Sequence, residues 1–549
     1  MSRRAQALLC LKPIADVAKD LGLDARYLIP YGESIAKVRA EAFQPWPPQK
    51  GRLVLVTGMT PTPRGEGKTV TSVGMAMALS RLGHRAVACI RQPSLGPVFG
   101  VKGGGAGGGA ATIEPMQQIN MRFTGDIDAM SAAHNLLAAM IDNHIFQGNE
   151  LQIDPASVTW PRALDMNDRA LREITVGLGA KNGVPRQSHF VITAASEIMA
   201  IVCLSRDYAD LKRRLGRIIV GYDAKNEPVR ASDLKCVGAM GALLKEAMLP
   251  NLVQTGEGTP ALVHGGPFGN IAHGTCSLAS MRLGLSLADY LIVEAGFASD
   301  LGAEKFVDIV TRAGDLRVDV AVLVVTVKAL RYHGGAAHWE APDAGAVRLG
   351  LENVKKHLEN VRLYGLTPVV AVNRFPEDSD EELRIVAEAC TSEGVPSAVS
   401  TVYTDGGSGS EELARLVVEA CRRGSSCKPV YGLDLSVEAK IEQLVKKVYG
   451  GRGVEYTDGA REDLVRISRL GLSDNPICVA KTAFSFSDEP SRKGRPRDFI
   501  VTVRKIEPAA GAGFNIVHMG QIVTMPGLPK HPAAENIDIS DDGAITGVF

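Results

Sequence analysis

The segment that most restricts the fold is LVLVTGMTPTPRGEGKTVTSVGMAMALSRLG, residues 53–83. An unbroken apolar run ends in a Gly-rich loop, and the loop leads into a stretch with helical patterning. Strand, loop and helix in this order make a phosphate cradle. Backbone amides around Gly65 and Gly67 and the helix N-terminus would face an anion, Lys68 would neutralise the terminal phosphates, and the Thr69 hydroxyl would hold magnesium. The nucleotide-binding residues read this way are Thr62, Pro63, Arg64, Gly65, Glu66, Gly67, Lys68 and Thr69. Thr62 stands where the usual pattern has its first glycine, and the plain alternative is a Gly-rich turn with a solvated lysine.

Four more β-rich runs end in polar or Gly-rich segments: AVACIR at 86–91, YLIVEAG at 290–296, VAVLVVTV at 320–327 and VVAVNRF at 369–375. Continuous apolar strands alternating with helical patterns predict a parallel sheet covered on both faces. The expected class is α/β and multidomain, a phosphate-loop nucleoside triphosphate hydrolase-like sheet with helices on both faces plus smaller α/β domains. With 549 residues, several packed units are expected. Residues 1–150 and 251–375 are read as the nucleotide-binding core and 151–250 as a mostly helical insertion with one short strand. Residues 376–460 are read as an α/β domain and 461–549 as a C-terminal domain turning toward β structure.

Ligands in such sheets bind at the carboxyl ends of strands, which selects Arg91, Glu294, Asn373 and Phe375. Arg91 could grip an anion as a bidentate donor, or merely cap a strand end. Lys102 with the run GGGAGGG at 103–109 could form an amide-rich anion nest, or a plain loop. Glu294 could bind magnesium through water, or be an exposed end-of-strand acid.

Lys plus Arg and Asp plus Glu both number 61, so no global field favours nucleic acid or an anionic membrane. The nine cysteines contain no CxxC pair, which predicts reduced thiols and a cytoplasmic location. The start, MSRRAQALLCLKPIADVAKDLG, lacks a sustained apolar stretch, and no segment reaches the ~18 uninterrupted apolar residues of a membrane span.

Taken together, TPTPRGEGKT, RQPSLGPVFGVKGGGAGGG, INMRFTGDI, LDMNDRALR, ASEIMAI, NLVQTGEGTPALVHGGPFGNIAHG, EAGFASDLGAEKF and MPGLPKHPAAENID closely resemble formate-tetrahydrofolate ligase. The resemblance runs from the first helix to the last residues. It implies a homotetrameric α/β enzyme activated by a monovalent cation, K+ or NH4+, that uses ATP and Mg2+. It also implies a two-step reaction, in which formate attacks the γ-phosphate and N10 of tetrahydrofolate then takes the formyl group from formyl phosphate. Lys68 and Arg91 match the catalytic residues, Arg91 holding the acyl phosphate. Phe375 and Pro376 match an Asn-x-Phe-Pro segment of the folate site, to which residues 376–460 contribute. Tyr403 stands where the family usually has tryptophan; two aromatics could sandwich a flat pterin.

Other positions depart from the family pattern. Gln92, Gln117, Gln118 and Val191 stand at usually acidic or polar positions, and Ala483 replaces a polar residue. Glutamine loses a carboxylate's charge and valine its hydrogen bonds as well. Three readings stay open: the ordinary ligase, an enzyme for another small carboxylate or amine acceptor, and a nucleotide-binding regulator without turnover. GEGKT alone also fits deviant phosphate-loop ATPases of the chromosome-partitioning kind, which the rest of the chain does not resemble.

Overall fold

The structure is a computed structural model that describes residues 11–102, 104–520 and 522–548, with the Lys102 side chain left out. The expectation for MSRRAQALLC therefore lies outside the described residues. A sheet of twelve strands forms the centre. In chain order these are β1 (Leu28–Pro30), β2 (Ala36–Val38), β3 (Arg52–Gly58), β4 (Ala86–Ile90), β5 (Gly107–Gly108) and β6 (Ala111–Glu114). They continue with β7 (Asn251–Thr255), β8 (Pro260–Val263), β9 (Tyr290–Glu294), β10 (Val320–Val325), β11 (Pro368–Asn373) and β12 (Ser397–Ser400).

The spatial order is β1-β2-β7-β8-β4-β9-β3-β10-β11-β12, with β6 also on β7 and β5 on β6. From β8 to β12 all neighbours run parallel, whereas the other pairings are antiparallel. All five β-rich runs read from the sequence are strands of the parallel part.

These strands read as continuous apolar runs because both of their faces are covered. In β3, Leu53 and Leu55 belong to the same buried core cluster as Leu278, Met281 and Leu285 of helix Leu278–Leu287. Val54 and Val56 point the other way, toward Val73 and Met77 of helix α1 (Lys68–Arg81). All four strand residues are fully buried, each burial stabilising the fold by about 2 kcal/mol. On β10, Leu323 and Val325 pack with Val347 and Val354 of helix α2 (Ala344–Leu363). The α/β class with a large, mostly parallel sheet is borne out.

The region 151–250 contains helices Glu197–Leu204, Tyr208–Arg217 and Val237–Leu243, but also three two-stranded pairings where the sequence suggested one strand. These strands are only two to four residues long, too short to show a clear alternation. The sheet's last strand, β12, comes from residues past 375. Near the C-terminus, Ile477–Ala480, Phe514–His518 and Lys505–Ala509 form a separate three-stranded sheet. Among the described residues no helix is long and apolar enough to cross a membrane.

Candidate functional site

The phosphate-type loop leaves β3 at Gly58 and ends where α1 begins. Gly65 and Gly67 have φ of 77° and 74°, a region that favours glycine. At Gly67 a side chain is doubly excluded, because its Cβ would fall 2.5 Å from Asn373 Nδ2. Asn373 Nδ2 donates to the Glu66 carbonyl at 3.2 Å. Glu66 turns inward and is 2% exposed. Its Oε1 accepts the Thr62 amide at 2.6 Å, and its Oε2 accepts the Thr326 hydroxyl. The loop is thereby tied to residues at the ends of β10 and β11. Its tip, Pro63, Arg64 and Gly65, is exposed. Arg64 pairs with Glu340 at 2.8 Å, but both side chains are more than half exposed, so the pair adds little stability.

Lys68 and Thr69, half-buried at the start of α1, face the end of β9. The Thr69 hydroxyl donates to Glu294 Oε2 at 2.7 Å, and Arg91 Nε donates to Glu294 Oε1 at 3.2 Å. Arg91 also reaches the Pro267 carbonyl through Nη1 at 3.4 Å. Glu294 is 4% exposed rather than an exposed strand-end acid. Burial pushes its carboxyl pKa up, but Arg91, the Thr69 hydroxyl and Lys68 outweigh that and hold it below the ordinary value. Two strand-end residues, Arg91 and Glu294, and two at the start of α1, Lys68 and Thr69, thus form one group in which Glu294 stays ionised at neutral pH.

The aromatic candidates sit at the ends of the next two strands. Asn373 of β11 is in register with Ser400 of β12, so Phe375 and Tyr403 follow neighbouring strand ends. Phe375 is half-buried, with Lys328 Nζ 3.9 Å from its ring centre, and Pro376 is exposed. Burial lowers the Lys328 pKa. Tyr403 is 59% exposed. The glycine run passes directly beneath it: Ala110 N donates to the Tyr403 carbonyl at 2.8 Å, and a Cβ on Gly109 would lie 2.0 Å from that oxygen. Gly109 therefore serves an approach of backbone to backbone. Gly103 and the Lys102 side chain, part of the suggested anion nest, lie outside the described residues.

The departing positions differ in setting. Gln92 is 3% exposed and its Oε1 has no hydrogen-bond partner among the described residues. Gln117 Nε2 donates to the Ile545 carbonyl at 2.7 Å, Gln118 is exposed, and Ala483 is half-buried. Val191 is buried, and its carbonyl accepts the Leu164 amide at 3.1 Å. Sequence reading missed Thr326 and Lys328. The strand-end rule could have found Thr326, which directly follows β10; Lys328 carries no comparable signal.

A family model described as formate-tetrahydrofolate ligase matches residues 4–549. The chain is 52% identical over 539 residues to a formate-tetrahydrofolate ligase of Thermus thermophilus, covering 98% of each chain. It is 53% identical over 546 residues to a formate-tetrahydrofolate ligase of a Nocardioides species, again covering 98% of each.

Proposed function

The chain belongs to the formate-tetrahydrofolate ligase family, and from that premise we propose that it joins formate to tetrahydrofolate at the expense of ATP. The reading is that of an ATP-dependent carbon-nitrogen ligase of one-carbon metabolism that forms 10-formyltetrahydrofolate, ADP and phosphate. The observation that carries the site assignment is the convergence of Lys68 and Thr69 at the start of α1 with Arg91 just past β4 and Glu294 at the end of β9.

In this reading the sheet is of the phosphate-loop nucleoside triphosphate hydrolase type, and residues 62–69 cradle the triphosphate. The loop amides and Lys68 neutralise the transferring phosphoryl group, for which positioning and electrostatics matter more than covalent help. Arg91, held at one edge by Glu294, keeps its remaining donors for the formyl phosphate formed when a formate oxygen displaces ADP. The nucleophilic N10 then attacks the formyl carbon, and phosphate leaves. Phe375, with Pro376 beside it, and Tyr403 offer the pterin its stacking faces.

Magnesium fits this donor set. Among the described residues no group of three His, Cys, Asp or Glu could hold a metal alone, so the substrate phosphates would carry the ion, with Thr69 and Glu294 completing its shell. When bound, magnesium supplies charge neutralisation on the phosphates. A monovalent cation, a homotetrameric assembly and a cytoplasmic location complete the proposal on family grounds.

Phosphate release from ATP and formate, measured with and without tetrahydrofolate, tests it. Folate-dependent release is expected. Activity only with another carboxylate or amine would favour a divergent enzyme, a reading motivated by buried Gln92 with its unpartnered oxygen. A protein that neither binds nor hydrolyses ATP would overturn the assignment.

A further inference from the structure

Beneath the loop, one residue collects an unusual set of buried partners. Thr60 lies between the end of β3 and the loop, and is 1% exposed. Its amide donates to His357 Nε2 at 2.7 Å, and its hydroxyl lies 2.9 Å from the same nitrogen. Asn353 Nδ2 donates to that hydroxyl at 2.9 Å. From the other side, His333 Nε2 meets the Thr60 carbonyl at 3.0 Å. Asn353, His357 and His333 are themselves buried, the first two on α2 and the third at the end of helix Val327–His333.

The partners fix the tautomers. A backbone amide can only donate, so His357 Nε2 is the acceptor and its Nδ1–H donates to Ser299 Oγ at 2.7 Å. A carbonyl can only accept, so His333 carries its proton on Nε2, and its Nδ1 accepts the Gly494 amide at 3.2 Å. Asn353 Nδ2 also donates to the Gly494 carbonyl at 2.7 Å. The same two side chains, His333 and Asn353, therefore bind both Thr60 and Gly494. Gly494 has φ of 68°, and a Cβ there would lie 3.1 Å from the His333 carbonyl.

We propose that His357, His333 and Asn353 are positioning residues for the phosphate loop: they fix the point where it leaves the sheet and couple it to the C-terminal segment at Gly494. This rests on the loop being the ATP site. All three side chains are buried and bind Thr60, which precedes the loop residues 62–69. They act by holding Thr60, so that the loop amides are pre-aligned rather than ordered at the expense of binding.

Calorimetric titration with Mg-ATP and separately with tetrahydrofolate tests the proposal on the full chain. Removing the acceptor in His357→Leu leaves the buried Thr60 amide only its longer bond to Asn353 Oδ1 at 3.3 Å, and ATP should bind about tenfold more weakly. Tetrahydrofolate affinity should change by less than about twofold, a change below the ~0.4 kcal/mol that such a factor represents. His357→Gln retains an acceptor oxygen for Thr60 and should recover most of the ATP affinity.

Unchanged ATP affinity in His357→Leu, equal losses for both ligands, or no recovery in His357→Gln would each overturn the proposal. If His357→Leu fails to fold, Asn353→Ala decides: a selective loss of ATP affinity supports the clamp, and an unchanged affinity sinks it. A wild-type protein that binds Mg-ATP but shows no folate-dependent phosphate release would refute the ligase reading while leaving the clamp standing.

Discussion

The phosphate loop and the aromatic pair lie on neighbouring strand ends but are held in opposite ways. Buried groups from β10, β11 and α2 grip the loop through Glu66, Asn373 and Thr60. Tyr403 instead stands mostly in solvent, anchored by its backbone, and Phe375 is only half-buried. The chemistry of the proposed ligands accounts for the contrast. A phosphoryl group needs donors fixed in advance, because reorienting dipoles during the reaction costs energy. A flat ring needs apolar area at a suitable spacing, which tolerates more freedom.

The largest effect is expected at the rigid side. Lys68→Ala should lower folate-dependent phosphate release by about three orders of magnitude, the scale of a removed phosphoryl-stabilising cation; a loss below about tenfold would break the comparison. Next comes Arg91→Lys, which keeps the charge but loses the fork that can serve Glu294 and an anion together. A drop in turnover of about a hundredfold is expected, read as kcat in steady-state assays. Near-normal turnover would reduce Arg91 to a counter-charge for Glu294.

The support beneath the loop can be probed by pH. Burial holds His333 down to about 4 from its ordinary 6.5. In the unfolded chain it takes up a proton near 6.5, so its contribution is complete above that pH and is lost as pH falls toward 4. Glu197, raised by burial to about 7, acts in the opposite sense, so only a difference between proteins isolates the histidine. Denaturant unfolding of His333→Gln should show a weaker acid loss between pH 6.5 and 4, by about 3 kcal/mol over the window. Parallel pH curves for the two proteins would contradict a neutral buried His333.

The smallest effects belong to the open side. Tyr403→Ala should weaken tetrahydrofolate binding by about tenfold, the value of one lost stacking face, with ATP affinity unchanged. Tyr403→Trp should tighten it by a few-fold at most, about 0.5 kcal/mol. If Tyr403→Ala instead disturbs ATP binding, the glycine hairpin beneath it links the two sites, and the contrast between them narrows.

Much of this site could be read along the chain because its signals are local. The loop's glycines, Lys68 and Thr69 lie on one strand-to-helix turn, and Arg91, Glu294, Asn373 and Phe375 end or directly follow apolar runs. Of the residues that were missed, Thr326 directly follows an apolar run, whereas the others lack such a signal. Thr60, Asn353 and His357 are separated by nearly three hundred positions, and a histidine in the helix pattern of α2 reads as a packed side chain. The two-residue strands in 151–250 failed for a different reason: pairing, rather than their own periodicity, makes them strands.

The sequence by itself determined the parallel α/β character, the glycine loop between a strand and a helix, and the family, because each rests on short-range pattern or on many motifs in a fixed order. Tertiary structure alone decided that Glu294 is buried and shared by Thr69 and Arg91, that the glycine run serves Tyr403's backbone, and that two histidines in opposite tautomers hold Thr60. Those are properties of distance and burial. A linear chain does not specify which buried donor will meet which acceptor until the strands are ordered and the helices packed upon them.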